Sequence, residues 1–354
     1  MKRSPFTNYL VTIGTLFVIS IMILLLLPYY SKIIILLWCG LIIYYISLFL
    51  HELGHIVMGY HNKWKFLFLS IGPISLSNST GRLTIEKNVF GNYLGGFAGV
   101  APPITSRPKR KSFLLFYAGG PLTSLLFFVI GLVFWLNYDT LYLFFFMIFN
   151  LILFVTSALP YKEADGGNIV DLIKDPTVTE RYTLALQVTG EMLTSKRPKE
   201  WDETLIHLCE AFTEDYFEDF PNLYMFLFYY YYDYGNLSKA ITFIETYLKN
   251  SPNDGDKLTT GLFYSVFLSH KFIFDRHYVE SVDIDRSFLQ HVSKVDSVNY
   301  YRVKAIQAYL RNDIENTELA LEKSEKSLTF LKALSIYRVE KQLTQSVRNE
   351  MKLS

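Results

Sequence analysis

Two histidines and a glutamate interrupt an apolar stretch, LFLHELGHIV, at residues 48–57. Helical residues four apart lie on one face, so His51 and His55 can direct both imidazoles at one metal ion. Glu52 lies beside them as a base that can deprotonate a metal-bound water. This spacing of two imidazoles and a carboxylate is the pattern that zinc-dependent hydrolysis uses. We therefore predict one Zn²⁺ per chain, with His51 and His55 as ligands and Glu52 as the general base.

The apolar setting favours a functional role for these residues. Ionisable side chains inside an apolar membrane helix are energetically expensive, so each is a candidate for function by default. The alternative is that the two histidines are ordinary core residues whose ring nitrogens are hydrogen-bonded.

Catalytic zinc needs a third protein ligand and an open position for water. Asp165, in LPYKEADGGNIVDL, follows the last long apolar stretch and should return to the same side of the membrane as His55. It is the predicted third ligand. Its alternative role is the N-cap of the next helix, and Glu163 and Asp171 are rival ligands. His61 is expected in a loop at the end of the histidine helix.

The elements that position these residues are those of a membrane protein. The chain has 354 residues, of which 51% are hydrophobic and 17% aromatic, which is too apolar for an ordinary soluble protein. Four stretches reach the length of about 20 residues that a bilayer requires: residues 9–27, 33–60, 112–137 and 141–159. The first has no small-residue cleavage site after it, so we interpret it as a retained helix and not a signal peptide.

Charge is distributed unevenly along the chain. The first 160 residues hold 11 Lys or Arg and three acids, whereas the remainder holds 23 and 30. The second and third spans are joined by a segment containing RPKRK, and the third and fourth by NYDT, which has no basic residue. The positive-inside rule then predicts that both ends of this multi-pass protein are in the cytoplasm. The compact charge layout and the short loops favour a bacterial plasma membrane. Nothing in the charge pattern indicates a nucleic-acid partner.

The segment between the second and third spans is not a plain loop. FLFLSIGPISLS and GRLTIEKNVF are short β-prone runs, and NSTG between them predicts a hairpin turn. GNYLGGFAGVAPP is rich in glycine and almost without charge, which indicates a re-entrant or interfacial segment. We therefore expect a small membrane-associated sheet or hairpin followed by this segment.

The composition after about residue 175 is that of a soluble helical domain. We predict a membrane-embedded domain at 1–175 and a cytoplasmic all-α domain at 176–354. Residues 229–254 and 300–328 each have the form helix, turn, helix. They resemble tetratricopeptide repeats, which predicts binding of a protein partner; the alternative is an irregular helical domain. The aromatic segment LYMFLFYYYYDY at 223–234 is expected in the core, with a peptide groove or membrane contact as alternatives.

These motifs together resemble the site-2 protease family of intramembrane zinc metalloproteases, over about residues 33–175. The resemblance is carried by HELGH in a transmembrane helix, Gly-Pro in the following span, and Leu-Pro followed by Asp-Gly-Gly. It implies that His51, His55 and Asp165 are zinc ligands and that Glu52 is the general base. LGGF at 94–97 is similar to the family's membrane-embedded loop beside the bound substrate, which implies substrate contacts for Gly95 and Gly96.

The chain departs from the family at other positions. Ser124 and Ser157 stand where the family usually has asparagines that contact the substrate backbone. The resemblance therefore implies that these two serines contact the substrate. Asn150 could substitute for Ser157 from the same helix face, or simply pack between helices. The family usually has Pro-Leu where Glu163 and Ala164 precede Asp165.

The expected function is hydrolysis of a peptide bond within or next to a transmembrane segment of a substrate protein. The edge of the predicted sheet between His61 and Phe90 could hold the unwound substrate as an added strand. One alternative is a membrane peptidase that trims a small peptide precursor. Another is a proteolytically inactive membrane scaffold whose helical repeat domain binds a partner.

Overall fold

The structure, a computed structural model, divides the chain into two compact units, Met1–Thr183 and Leu184–Ser354. Most of the chain is helical. The structure describes residues 5–78, 82–88, 94–161, 164–215, 221–250, 257–281, 292, 296–332 and 334–352.

The first unit is built on long apolar helices, and three of them are long and apolar enough to cross a membrane. The helices are α1 (Pro5–Leu26), α2 (Ser31–His61), α3 (Arg110–Tyr138) and α4 (Leu141–Ala158). The three candidate spans are α2, α3 and α4, and they are consistent with a membrane protein. Within α1, the apolar segment found among the described residues is Val11–Leu26. Three of the four predicted spans are thus candidate spans among the described residues, and the first, at residues 9–27, stays a prediction.

Small residues bring α2 and α3 close together. A Cβ added to Gly119 on α3 would lie 2.9 Å from the carbonyl carbon of Gly54 on α2, so only glycine fits this crossing. Close backbone approach through small residues is how membrane helices gain packing energy without a hydrophobic driving force. A polar link joins α4 to α2, because Asn150 Nδ2 donates to Ser47 Oγ at 3.0 Å.

Four antiparallel strands form one sheet in the order β3-β2-β1-β4. They are β1 (Lys65–Ile71), β2 (Ile74–Ser77), β3 (Thr84–Lys87) and β4 (Gly96–Ala101). The β2–β3 pairing, with Ser77 opposite Thr84, confirms the predicted hairpin; residues 79–81 of its turn lie outside the described part of the chain. β1 is a central strand that pairs with both β2 and β4.

The glycine-rich segment differs from the prediction. Its residues Gly96–Ala101 form β4 and pair with β1, so this part is an extended strand of the sheet and not a re-entrant loop. Glycine makes the pairing possible, because a Cβ at Gly99 would lie 2.7 Å from ring atoms of Phe68 on β1. Residues 91–93 of the segment lie outside the described residues.

Two further helices follow the last span, α5 (Asp165–Lys174) and α6 (Val178–Met192). Tyr182 on α6 donates to Asn168 Oδ1 on α5 at 2.9 Å, and Leu172 of α5 is fully buried. Arg110 on α3 donates to the Ile173 carbonyl of α5 at 3.2 Å, so α5, whose first residue is Asp165, is bonded to a helix of the bundle.

The second unit is all-α in its described residues. Its helices are α7 (Glu203–Asp215), α8 (Pro221–Tyr234), α9 (Leu237–Asn250), α10 (Lys257–Phe274), α11 (Arg276–Ser281), α12 (Ser297–Leu310), α13 (Ile314–Ser327) and α14 (Tyr337–Lys352). Both predicted helix-turn-helix pairs are confirmed as α8–α9 and α12–α13. Gly235, with φ 90°, and Asn312, with φ 58°, supply the left-handed residues at the two turns. Their identity as tetratricopeptide repeats stays a prediction.

The aromatic segment of α8 lies in the core, as expected. The indole of Trp201 stacks on Phe226 with ring centroids 4.2 Å apart. Eight residues of the helix are buried: Leu223, Tyr224, Phe226, Leu227, Phe228, Tyr229, Tyr230 and Tyr232. The segment therefore supplies packing area for this unit.

A buried ion pair joins four helices of the second unit. Arg302 on α12 donates to Glu340 Oε2 on α14 at 2.7 Å, and both side chains are almost fully buried. Tyr229 on α8 donates to the other carboxylate oxygen at 2.6 Å, and Arg302 also reaches Ser269 on α10 at 2.9 Å. Burial, reinforced by the Glu340 charge, raises the pKa of Tyr229 well above its ordinary value.

Candidate metal centre

Helix α2 carries three of the predicted site residues on adjoining positions. His51, Glu52 and His55 are all buried, with exposed fractions of 5%, 7% and 6%. The two imidazole rings have centroids 5.1 Å apart, as expected for side chains one helical turn apart on a common face.

Asp165 meets both histidines. Its Oδ2 lies 3.5 Å from His51 Nε2 and 3.3 Å from His55 Nε2. Two ligand atoms that are each about 2 Å from a tetrahedral metal ion lie about 3.3 Å apart, so these separations suit one shared ion. Asp165 is the first residue of α5, and Ala164 occupies the N-cap position. The alternative role of Asp165 as the N-cap is therefore wrong.

Hydrogen bonds on the far side of each ring orient the metal-binding nitrogens. His55 Nδ1 lies 2.8 Å from the carbonyl oxygen of Phe116, which can only accept, so Nδ1 carries the proton. In the neutral ring the lone pair is then on Nε2, facing the Asp165 carboxylate. Two acceptors facing each other at this distance require a cation or a proton between them. The three residues thus have the chemistry of a metal site, and they form the group able to hold an ion among the described residues.

A glycine leaves room for the ion. A Cβ added to Gly120 on α3 would lie 2.6 Å from His51 Nε2 and even closer to His55 Nε2. A side chain at position 120 would therefore occupy the space beside the two Nε2 atoms, where the ion would lie. Glycine leaves this space open.

Ser124, predicted as a substrate contact, contacts a metal-site residue. Its Oγ lies 2.9 Å from His51 Nδ1, and the side chain is fully buried. Partners of this kind fix the ring orientation and tautomer of a metal-binding histidine. Ser124 and the Phe116 carbonyl, both on α3, thus have the same function for the two histidines of α2.

The carboxyl of Asp165 is held in its ionised form. Burial alone would raise the pKa of Asp165, but the hydrogen bonds and charges of His51 and His55 outweigh it, and the pKa lies below its ordinary value. A deprotonated carboxylate is the form that ligates a metal.

Glu52 faces the sheet. A Cβ at Gly96 on β4 would lie 2.6 Å from Glu52 Cγ and Oε1, and the backbone N–H of Ala98 hydrogen-bonds the carboxylate. The glycine-rich sequence of β4 thus allows the strand to approach Glu52 closely. Glu52, the candidate general base, thus lies beside the candidate metal ligands and against β4.

The remaining predicted residues are near the site or apart from it. Gly95 adjoins β4, and its carbonyl accepts from the Gly72 N–H at 3.3 Å. Ser157 Oγ lies 3.3 Å from the Phe154 carbonyl in its own helix. Asp171 is not in the metal-binding group and His61 is exposed at the end of α2. Glu163 lies outside the described residues.

Sequence reasoning missed two features of the site. The first is Gly120, for which the only signal was its place in AGGPLTS of the third span. The second is Ser47, one turn before His51, which accepts from Asn150. This contact agrees with packing between helices, one of the two roles expected for Asn150, whose buried Oδ1 has no hydrogen-bond partner in the described part of the chain. Both depend on how neighbouring helices approach α2.

Comparison of the chain with protein-family models, with curated proteins and with solved structures finds no match.

Proposed function

We propose that this protein is an intramembrane zinc metalloprotease that hydrolyses a peptide bond within or next to a transmembrane segment of a substrate protein. The observation that carries the proposal is the meeting of His51 and His55 with Asp165 of α5. The two histidines and Glu52 lie on α2, which is long and apolar enough to cross a membrane. The proposed setting is the plasma membrane, with both chain ends in the cytoplasm, as the basic loops predict.

The proposed mechanism assigns each residue one task. His51, His55 and Asp165 hold the ion, and Ser124 and the Phe116 carbonyl orient the two rings. When bound, zinc supplies Lewis acidity and makes water acidic enough to lose a proton near neutral pH. Glu52 takes the proton from the attacking water and returns it to the leaving amine. Burial of the site keeps bulk water away from these groups.

The sheet edge closest to the site is the best candidate to hold the substrate. A helical substrate must be unwound before its carbonyls can be attacked, and an extended peptide can pair with a free strand edge. Among the described strands, β3 and β4 are the edges, and β4 lies against Glu52. The proposed docking edge is thus the start of β4, Gly96–Ala98, because Gly99–Ala101 are buried. It lies outside the range from His61 to Phe90 that the sequence suggested. β1 is unsuitable because it is paired on both sides.

The Glu52→Gln variant tests the proposed activity. Removal of a general base typically costs about 10²- to 10⁴-fold in rate, so cleavage products should disappear while zinc content is unchanged. We would compare membrane-protein fragments in native cells that produce the wild-type or the variant protein at equal levels. New chain ends within an apolar segment are the expected result.

Other outcomes of this comparison support other functions. Fragments from a short soluble precursor would favour the trimming peptidase. An unchanged set of fragments under several growth conditions, together with full rescue of a deletion strain by Glu52→Gln, would favour the scaffold and overturn the protease.

Photo-crosslinking tests the docking edge. A benzophenone amino acid at Phe97 on β4, which is 57% exposed, should form adducts with the substrate in the Glu52→Gln protein. The same group at Ile85 on β3, 78% exposed, is the matched control at the opposite edge. Equal adducts from both positions in native membranes would contradict docking at β4.

A further inference from the structure

Exposed cations cluster where α2 ends and α3 begins. They form a cationic patch from two short runs of the chain, which consists of Lys63, Lys65, Arg107, Lys109 and Lys111. The two runs adjoin in space, because Asn62 Nδ2 donates to the Ser112 carbonyl at 3.1 Å. Trp64, between the two lysines of the first run, packs on Phe113 with ring centroids 4.8 Å apart. The five cations thus lie at one end of the α2–α3 pair.

The charge of the cationic patch is not compensated by neighbouring acids. None of its five side chains forms an ion pair with another described residue of the chain. Residues 53–138 contain one acid, Glu86, which lies on β3 opposite Ser75. Ser75 in turn lies opposite Ser70 of β1, and the extended strand from Ser70 back to Lys65 spans roughly 17 Å. Glu86 is therefore at the far end of the sheet from the patch.

Helix α5 adds no net negative charge beside the patch. Its end is bonded to the start of α3 through the Arg110 guanidinium. Its last turn carries one exposed residue of each sign, Asp171 and Lys174. Asp175, which follows, pairs with Arg181 at 2.9 Å. The patch therefore keeps its positive charge on the side that faces α5.

The patch lies at the level where α2 leaves the membrane. α2 is a candidate span, and Tyr60 in its last turn is 78% exposed. Exposed aromatic side chains at the end of a membrane helix are typical of the headgroup level. The first cation of the patch follows Tyr60 by three residues, and the last three cations surround the start of α3, another candidate span. Lipid headgroups are therefore the groups expected next to the patch.

We propose that the cationic patch binds the phosphate groups of anionic lipids on the face of the bilayer where α2 ends. Five like charges close together repel one another, and anionic headgroups remove this repulsion. One lipid can contact the cations with its headgroup and the adjoining apolar helices with its acyl chains. An acidic protein segment fits less well, because anionic lipids would repel it from this layer. The proposal rests on the candidate spans and is independent of the proposed proteolysis.

Native mass spectrometry of the full-length protein in mild detergent tests the proposal. The probes are dioleoyl phosphatidylglycerol and dioleoyl phosphatidylcholine, which have the same acyl chains and differ in the headgroup. A cation beside an anionic lipid surface contributes about fivefold in affinity. With several cations at the patch, the wild-type protein should prefer phosphatidylglycerol by about tenfold or more. The preference should decrease as the salt concentration rises, because exposed charges are screened.

Charge-removing variants localise the site. Lys111→Gln should weaken binding of phosphatidylglycerol by about fivefold, and the triple replacement of Arg107, Lys109 and Lys111 by glutamine should abolish the preference. The matched control is Lys32→Gln, which removes an exposed lysine at the opposite end of α2 and should leave the preference unchanged. Lys109→Arg with Lys111→Arg keeps both charges and should bind as the wild type does. Circular dichroism checks that each variant is folded.

Several results would overturn the proposal. They are equal binding of the two lipids by the wild-type protein, and a loss with Lys32→Gln as large as that with Lys111→Gln. Displacement of phosphatidylglycerol by an equal concentration of inorganic phosphate would assign the patch to a free anion. Displacement by hexaglutamate would assign it to an acidic protein partner. None of these readouts measures cleavage, so a failure here would leave the proposed protease activity unaffected.

Discussion

Replacing Gly120 with alanine is expected to abolish metal binding although it substitutes none of the three candidate ligand residues. The new methyl group would lie 2.6 Å from His51 Nε2 and closer still to His55 Nε2, in the space that the ion needs. We expect zinc affinity to fall by more than the roughly 10- to 100-fold that follows loss of an outer-sphere partner. Zinc content after purification, measured by atomic emission, gives the result directly.

The matched control is Gly40→Ala on α2. Its added Cβ would meet the Phe145 ring at 3.6 Å, an ordinary van der Waals contact, so zinc content should be unchanged. If Gly120→Ala retained one zinc ion per chain with wild-type affinity, the arrangement of α3 beside the two histidines would be wrong. A loss of zinc in both variants would indicate a general sensitivity of the helix packing and would also contradict the specific role of Gly120.

Replacing Arg302 with methionine should destabilise the second unit by about 3–5 kcal/mol, because Glu340 would remain buried without its charged partner. The exposed fraction of Glu340 is only 1%, so water cannot compensate for the lost pairing. The rate of amide hydrogen exchange in α14 measures this loss of stability directly. A change of this size corresponds to exchange that is roughly 100- to 4,000-fold faster wherever exchange requires global opening of the unit.

Arg348→Met, on α14 itself, provides the control. Arg348 also bonds carboxylates, Glu318 at 2.9 Å and Glu325 at 2.8 Å, but those partners are exposed. Exposed pairs contribute about 0–1 kcal/mol, so exchange in α14 should change little. Similar exchange in Arg302→Met and Arg348→Met would show that the buried pair does not hold α14 in place.

The sequence was most informative where chemistry is encoded locally. The spacing of His51 and His55 fixes both rings on one face of any helix, so the pair could be predicted without knowing the fold. The prediction of Asp165 as the third ligand required only that the chain return to the same side of the membrane as His55. The central parts of α2, α3 and α4 followed from long apolar stretches, for which length alone is a strong criterion.

Features that depend on the approach of separate elements were not predictable in this way. The role of Gly120 comes from the side-on contact of α3 with α2, and the sequence AGGP in an apolar helix does not show which neighbour approaches that glycine. β4 was interpreted as a loop because its glycines mask the alternating pattern of a strand, whereas pairing with β1 decides its conformation. The Arg302–Glu340 pair joins positions far apart in the chain, which no local pattern indicates.

The position of Asp165 has a consequence for the energetics of the chain. An ion shared by His55 and Asp165 would close a loop of more than 100 residues that contains the sheet and two of the candidate spans. A cross-link of this length acts as a disulfide does, because it removes loop-closure entropy from the separated state, by up to about 4–5 kcal/mol in the chain-entropy description. The ion would thus cross-link α5 to the helix bundle. Its removal by a chelator would free α5 to separate from the bundle and would also remove the Lewis acid.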